Sequence, residues 1–172
     1  ITVDCSGVLT TPTALDNCAG TVNGTPSASL SFVEGGSTTI TWTFTDGTNS
    51  STATQVYNYD DTTPPVAGTQ NITVFLDASG NASITPADVE SGSTDDCGSI
   101  NLDSVTPNAF TCANIGTNTV TLTINDGNGN TDTETATVTI ADNLAPVTPA
   151  TLPAITVDCS GVLTTPTALD NC

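Results

Sequence analysis

Apolar and polar residues alternate along several short segments of the chain. The segment at 39–44 reads TITWTF, and the segment at 119–124 reads TVTLTI. A period of two places every second side chain on the same face of a β-strand, so these segments predict half-buried strands. The residues that this pattern predicts to be buried are Ile40, Trp42, Phe44, Val120, Leu122 and Ile124.

Turn signals separate the alternating runs, and helical signals are absent. Asp46-Gly47, Ser79-Gly80 and the run DGNGN that begins at Asp126 are typical of tight turns between strands. No segment combines a helical period with capping residues. The sequence therefore predicts an all-β fold with several short strands and no helices.

The chain contains a long repeat. Residues 1–18 read ITVDCSGVLTTPTALDNC, and residues 155–172 have the same letters at an offset of 154 positions. Self-similarity at a fixed period is typical of an array of structural repeats. The sequence therefore contains one full period and the first residues of another.

A weaker repeat divides the period in two. The run TTITWTFTDGTNSSTATQVYNYDDTTPPV resembles the later run TVTLTINDGNGNTDTETATVTIADNLAPV. We therefore predict one domain over 1–64, a second over 65–149 and the start of a third over 150–172. The first two have the size of a small β-sandwich. Pro64-Pro65 is expected to end the sheet and stiffen the link to the next domain.

The charge balance excludes several classes of function. The chain has 18 acidic residues, no Lys, Arg or His, and a formal net charge of -18. Nucleic-acid binding depends on basic side chains, and an anionic membrane surface would repel the chain, so neither partner is expected. A Ser-His-Asp or Cys-His site would lack its base. Adjacent carboxylates such as Asp60-Asp61 could serve glycosidase chemistry, but neighbours on a strand point to opposite faces. We therefore expect no catalytic residue and no enzyme.

Six cysteines fall into three close pairs with similar spacing. An even number without any CxxC pair favours disulfides over a zinc site, and disulfides indicate an oxidising compartment. The matched spacing predicts local bridges, each worth roughly 3 kcal/mol in the chain-entropy description. The predicted bridges are Cys5–Cys18, Cys97–Cys112 and Cys159–Cys172.

Acidic residues in the predicted loops and at the predicted domain ends are candidates for calcium binding. Ca²⁺ takes six to eight oxygen ligands, and a divalent ion would relieve repulsion in a chain without basic side chains. The alternative is that these residues only form turns. The sequence leaves both open and requires no other cofactor. The candidate oxygen donors are Asp16, Asp46, Asp60, Asp61, Asp95, Asp96, Asp126 and Asp142.

Two stretches carry a resemblance to a known family. Pro12–Cys18, with the letters PTALDNC, resembles the signature of the hyalin-repeat (HYR) family of immunoglobulin-like modules, and it returns at Pro166–Cys172. The stretches from Asp46 to Pro65 and from Asp126 to Pro146 resemble the end of the same module. The region from Asn71 to Pro146 is similar to a repeat variant of giant surface adhesins of flavobacteria-like bacteria.

This resemblance implies tandem immunoglobulin-like β-sandwich domains in a row, in a secreted protein associated with adhesion. Such repeats often carry a further cysteine after the GN turn, whereas Thr131–Glu134 has none, so no bridge is expected there. Two triplets resemble the O-glycosylation triplet of such bacteria, and four others match N-x-S/T. The candidate glycosylation sites are Thr62, Ser104, Asn23, Asn49, Asn71 and Asn81.

Together these features predict a structural repeat of an extracellular, bacterial cell-surface fibre or adhesin stalk. Disulfide-stapled domains in series would hold a distal tip away from the cell and so support adhesion or motility. The partners would be the other repeats of the same chain. The alternative is that the repeats themselves bind a surface polysaccharide or a neighbouring fibre, and an exposed aromatic or apolar patch would favour that alternative.

Overall fold

The regular secondary structure of the described residues is almost entirely β-strand. The computed structural model describes residues 1–148, 151–152, 161 and 165–172. The strands are β1 Thr2–Val3, β2 Thr13–Asp16, β3 Gly20–Asn23, β4 Thr25–Pro26, β5 Ser37–Thr45, β6 Ser50–Tyr59, β7 Ile72–Phe75, β8 Asn81–Ser83, β9 Asn101–Thr106, β10 Ala109–Thr111, β11 Gly116–Asn125 and β12 Thr131–Ala141. The predicted all-β class is confirmed.

The alternating segments form the longest strands, and their apolar residues are buried as predicted. Strand β5 contains the TITWTF run and β11 contains the TVTLTI run. Each strand turns one face to an apolar core and the other, which is rich in threonine, outward. The predicted core residues are all buried: Ile40, Trp42, Phe44, Val120, Leu122 and Ile124.

The first sheet has the strand order β1-β6-β5-β4. Strands β5 and β6 form a long antiparallel hairpin in which Ile40 lies opposite Gln55. Strand β1 runs parallel to the end of β6, with Thr2 beside Asn58. Strands β2 and β3 form a separate two-stranded hairpin. The first strand of the chain is therefore held against the last strand of its own sheet.

The second sheet repeats this order as β7-β12-β11-β9, and β10 pairs with β8 beside it. Strand β7 again runs parallel to the last strand, with Ile72 beside Val138. In both sheets the first strand thus pairs in parallel with the last one. The weak repeat in the sequence corresponds to a repeated strand order.

The chain forms two compact units that alternate along the sequence. Unit 1 comprises Ile1–Val66, Ser93–Asn101 and Ile124–Asp132, and unit 2 comprises Ala67–Gly92, Leu102–Thr123 and Thr133–Cys172. The first break, after Val66, lies near the predicted boundary at 64/65, which stays a prediction. Of the predicted third domain, residues 150, 153–160 and 162–164 lie outside the described residues.

The prediction that helices are absent is wrong at two short places. The α-helix α1 spans Pro86–Val89, and a 3-10 helix spans Cys112–Asn114. Helix α1 exists because the Asp88 carboxylate accepts hydrogen bonds from the Thr85 N–H at 2.6 Å and from the Thr85 hydroxyl at 2.8 Å. These bonds hold the pKa of Asp88 below its ordinary value. Proline at the first position favours the same turn.

Trp42 lies in the core of unit 1 together with Ile40, Phe44 and Tyr57. Its indole Nε1 donates to Gln55 Oε1 at 3.1 Å, and the Tyr57 hydroxyl donates to the same oxygen at 2.8 Å. A single amide oxygen therefore satisfies two donors of the core aromatics. This confirms the prediction that Trp42 is a core residue.

Candidate functional site

The structure pairs cysteines over long stretches of chain instead of locally. Cys5 is bonded to Cys97 at a sequence separation of 92, and Cys112 is bonded to Cys172 at a separation of 60. Cys18 is exposed and unbonded. The predicted bridges Cys5–Cys18, Cys97–Cys112 and Cys159–Cys172 are therefore wrong, and Cys159 itself lies outside the described residues.

The strand arrangement explains why the local bridges do not form in unit 1. Cys5 follows β1, which is fixed against β6, whereas Cys18 lies in the turn of the β2–β3 hairpin, where Asp16 pairs with Gly20. The two residues thus belong to different elements although they are close in sequence. Once formed, bridges that close longer loops restrict the unfolded chain more, so these two stabilise the fold by about 4.6 and about 4.3 kcal/mol, against roughly 3 kcal/mol for a local bridge.

Two predicted calcium donors come together in unit 1. Asp61 and Asp126 are each only 4% exposed. Asn128 Nδ2 donates to Asp61 Oδ2 at 2.8 Å. Asn130 Nδ2 donates to Asp126 Oδ2 at 2.6 Å and to the Asp61 backbone carbonyl at 3.1 Å. The Asp61 N–H in turn donates to Glu34 Oε2 at 2.7 Å. These five residues form what we call the carboxylate–amide cluster.

Amide groups, and not basic side chains, stabilise the charge of this cluster. Burial raises the pKa of Asp126, but hydrogen bonds from the Asn130 side chain and from the backbone N–H groups of Asn128, Asn130 and Gly129 outweigh it and hold the pKa below its ordinary value. A carboxylate that accepts several N–H bonds is stabilised in its charged form. In a chain without Lys, Arg or His, this is how the buried carboxylate of Asp126 is accommodated.

A second acidic group surrounds the disulfide of unit 1. One carboxylate oxygen each from Asp4 and Asp96 and the sulfurs of Cys5 and Cys97 lie within 4.8 Å of one another. Both sulfurs are joined in the disulfide and cannot act as thiolate ligands. The two carboxylates alone provide too few oxygens for Ca²⁺, so this group does not make a metal site by itself.

Asp4 has an ordinary structural role in unit 1. Its Oδ2 accepts hydrogen bonds from the Thr63 hydroxyl at 2.8 Å and from the Thr62 hydroxyl at 3.1 Å. The Thr63 hydroxyl in particular holds the pKa of Asp4 below its ordinary value. No local sequence pattern indicates this role of Asp4, because its partners are 58 and 59 positions away.

Among the other predicted calcium donors, two organise turns. Asp16 Oδ1 accepts from the N–H groups of Cys18 and Ala19 at 2.8 and 2.7 Å. Asp46 Oδ1 accepts from Asn49 and Thr48 at 2.6 and 2.7 Å, and these bonds hold its pKa below the ordinary value. Both arrangements agree with the turn interpretation. Calcium binding stays a prediction.

The remaining predicted donors have varied surroundings. Asp60 and Asp96 are exposed. Both carboxylate oxygens of Asp95 are sealed from solvent and have no hydrogen-bond partner. An unpaired buried carboxylate is costly in free energy. Among the predicted donors, Asp95 is therefore the one whose cost of burial a bound cation would offset most. Asp142 Oδ1 accepts from the Leu144 N–H at 3.0 Å and from Asn171 Nδ2 at 3.2 Å.

The last residues of the chain occupy a defined seat in unit 2. Asn171 Nδ2 donates to the Asp77 carbonyl at 3.0 Å as well as to Asp142, and Cys172 is bonded to Cys112. Gly80 lies under this contact: a Cβ at this position would be 2.6 Å from the Asn171 carbonyl oxygen and 2.7 Å from Cys112 Sγ. We call Asp77, Gly80, Cys112 and Asp142 the seat. The sequence did not reveal it.

An open cavity of about 550 Å³ also lies in unit 2. It combines the ring of Phe75, which is 53% exposed, with polar groups of Asp77, Asn81 and Thr111. Exposed aromatic rings beside polar groups are suited to ligands that have both kinds of surface. An exposed aromatic patch of this kind is the feature expected if the repeats themselves bind a partner.

The candidate glycosylation residues are placed differently. Ser104 is half-buried, and the hydroxyl of the exposed Thr62 donates to Asp4. The candidate asparagines are all exposed: Asn23, Asn49, Asn71 and Asn81. Glycosylation at any of them stays a prediction.

Comparisons with known proteins identify no family. No protein-family model matches the chain, and no curated protein matches it. Solved structures that match include two of endo-fucoidan hydrolases of glycoside hydrolase family 107, at 12% and 15% identity with TM-scores of 0.28 and 0.30. Both cover 84% of this chain and 28% and 24% of the solved chains. A third, at 15% identity and TM-score 0.26, has a similar description. This chain thus spans about a quarter of the solved chains.

One expectation is corrected by these comparisons. From the sequence we expected no enzyme, whereas the matching structures are described as endo-fucoidan hydrolases. The expectation rested on the absence of a histidine base, and a piece of a longer enzyme need not carry the catalytic groups itself. We therefore withdraw the exclusion. TM-scores of 0.26 to 0.30 carry no argument about the activity of this chain.

Two observations bear on location. Among the described residues, no helix has the length and apolar character needed to cross a membrane. The two disulfides are consistent with an extracellular protein.

Proposed function

We propose that the chain is a structural repeat of an extracellular fibre, in which tandem immunoglobulin-like β-sandwich modules form a spacer. One observation carries this proposal: an 18-residue segment returns unchanged after 154 positions, and its second copy is bonded to the residues that precede it. A repeated segment bonded to the preceding repeat suits an array that transmits tension along its length.

The role as a spacer accounts for the chemistry of the surface. The chain has no Lys or Arg, so trypsin-like proteases find no cleavage site. Its net charge of -18 keeps neighbouring copies apart by repulsion. The resemblance to hyalin-repeat modules supports a location on a bacterial cell surface and a role in adhesion or motility, with other repeats of the same chain as partners.

The length of purified chains tests this role. Chains with one, two, four and eight periods would be imaged by electron microscopy after rotary shadowing. A spacer increases in length by the same increment with every added period. Compact particles whose longest dimension does not follow the number of periods would contradict the proposal.

A second candidate function is that the repeats themselves bind a surface polysaccharide or a neighbouring fibre. The exposed Phe75 ring over the cavity of unit 2 favours it. Affinity electrophoresis in gels that contain acidic or neutral polysaccharides tests this function. Binding that is lost in Phe75→Ser, but kept when the similarly exposed Leu144 is changed to Ser, would support it.

A further inference from the structure

The residues Asp-Asn-Cys, which begin the turn of the β2–β3 hairpin, occur a second time in the sequence, and the cysteine is unbonded in the first copy and bonded in the second. Asp16-Asn17-Cys18 and Asp170-Asn171-Cys172 end the two identical 18-residue segments. Cys18 is exposed and unbonded, whereas Cys172 is bonded to Cys112. The same residues therefore have a partner where a preceding period is part of the chain.

The bonded copy makes further contacts that the other copy lacks. The Val147 N–H donates to the Leu169 carbonyl at 2.6 Å, and Asn171 Nδ2 donates to Asp77 and Asp142. Asn171 is half-buried, whereas its counterpart Asn17 is exposed. The seat thus recognises the segment by hydrogen bonds to a carbonyl and a carboxylate as well as by the disulfide.

In the disulfide of unit 1, as in that of unit 2, the cysteine of an Asp-x-Cys sequence is bonded to a cysteine earlier in the sequence. Cys97 ends Asp95-Asp96-Cys97, a third Asp-x-Cys sequence. It is bonded to Cys5, 92 positions earlier, just as Cys172 is bonded 60 positions earlier. In both cases the Asp-x-Cys cysteine is joined to a cysteine that precedes it. In an array with a period of 154, the cysteine that precedes Cys18 by 60 positions is the counterpart of Cys112.

We propose that Cys18 of each period is bonded to the Cys112 of the preceding copy, so that every junction of the array is closed by a covalent bond. This rests on the proposed function, since it requires copies in series. Asn17 then occupies the seat formed by the preceding copy's Asp77 and Asp142. By the same offset, Cys159 is the counterpart of Cys5, and its partner is the Cys97 of the following copy. No cysteine within the array remains unpaired.

Bond formation requires an oxidant, which we take to be a disulfide, either glutathione disulfide or a dithiol–disulfide oxidoreductase. The Cys112 thiolate attacks the oxidant and forms a mixed disulfide, with one oxidant thiolate leaving. The Cys18 thiolate of the next copy then attacks the Cys112 sulfur and displaces the second oxidant thiolate. Two cysteine thiols are oxidised, the oxidant disulfide is reduced to two thiols, and the two protons pass to the leaving thiolates.

The test is disulfide mapping of a chain with two consecutive periods followed by residues 1–18 of a third. The chain is refolded in reduced and oxidised glutathione, alkylated, and cut with an aspartate-directed protease. Asp16 separates Cys5 from Cys18, and Asp103 separates Cys97 from Cys112. Exposed markers identify the copies by mass: Thr117→Ser in the first period and Ser29→Thr in the second. We expect the second period's Cys18 peptide to be linked to the first period's Cys112 peptide.

Two glycine variants separate the effect of blocking the seat from the strain that any side chain causes at a positive φ angle. Gly80 and Gly92 have φ angles of +74° and +73°, but a Cβ at Gly92 would meet nothing within 4 Å. Gly80→Ala in the first period should lower the yield of the linked peptide several-fold, and Gly92→Ala should leave it unchanged. Far-ultraviolet circular dichroism, which records the strands of both units, reports whether each variant is folded.

Three results would overturn the proposal. These are a second-period Cys18 peptide linked to the Cys5 peptide of its own period, a second-period Cys18 recovered as an alkylated free thiol, or equal yields from both glycine variants. The first period's Cys18 has no preceding copy in this chain and is expected as a free thiol. None of the three results affects the increase in length with period number, which does not depend on which cysteines are joined. Failure of this proposal is therefore distinct from failure of the spacer role.

Discussion

The proposed junction disulfides would set a limit to how far a pulled array of these periods can extend. Along the shortest covalent path through one period, the chain runs from Cys97 to Cys112, crosses to Cys172, and returns to Cys159 before it crosses again. These two segments span 15 and 13 positions. At about 3.5 Å per residue they contribute about 100 Å, and the two disulfides add Cα–Cα distances of 5.3 and 5.4 Å.

The expected contour length at detachment is therefore about 110 Å per period for the oxidised array. Without disulfides the 154 residues of a period would extend to about 540 Å. Local bridges that closed only short loops would still allow about 450 Å. The three arrangements differ by far more than the resolution of single-molecule force spectroscopy.

The perturbation is a reducing agent, applied to chains of four or more periods that are stretched between a surface and a cantilever. We expect the contour length per period to rise about five-fold on reduction. Intact disulfides bear the force across the loops that they close, so most of each period cannot extend until they are reduced. An oxidised array that extends by about 450 Å per period would refute the reasoning. So would one whose length does not change on reduction.

Four further predictions concern single chains. The double change Cys5→Ser with Cys97→Ser should lower the free energy of unfolding by about 4.6 kcal/mol in denaturant titrations followed by Trp42 fluorescence, while Cys18→Ser should leave it unchanged. Gln55→Ala should cost about 2 kcal/mol in the same assay, because it leaves the indole and phenol donors of the core without an acceptor. The pKa of Asp126 lies below its ordinary 3.8, so its contribution is complete above that pH and is lost as the pH falls through the lower folded-state pKa. Asp126→Asn should weaken this acid dependence in a pH titration of unfolding. Ca²⁺ at a hundred times its dissociation constant should stabilise the fold by about 2.7 kcal/mol, and equal thermal midpoints in Ca²⁺ and in Na⁺ of matched ionic strength would contradict a specific site.

The strands and the core could be predicted because their signal is local. A period of two in TITWTF or TVTLTI is set by neighbouring residues, and burial of one strand face follows directly from it. The short helix α1 has a local signal as well. Thr85 and Asp88 form its capping box, but with Asp in place of the more usual Glu or Gln, and the segment is too short to show a helical period.

The disulfides and the carboxylate–amide cluster could not be predicted because they depend on strand order. Equal spacing suggested that Cys5 and Cys18 are partners, whereas the pairing of β1 with β6 takes them to different elements. Asp61 meets Asn128 over 67 positions of sequence. Single-sequence reasoning identifies such residues as acidic or as turn formers but does not give the contact. The repeat contained one usable signal, since a cysteine at an offset of one period can have its partner in another copy.

The central claim is that this chain is a spacer whose periods set a distance. The most direct measurement is made on the intact parent protein, from which whole periods are removed in frame, with the distance from the cell surface to the far end of the fibre measured by electron microscopy. The spacer account predicts that each removed period shortens the distance by the same increment, while the fibre remains attached to the cell. A distance that is unchanged after several periods have been removed would contradict it.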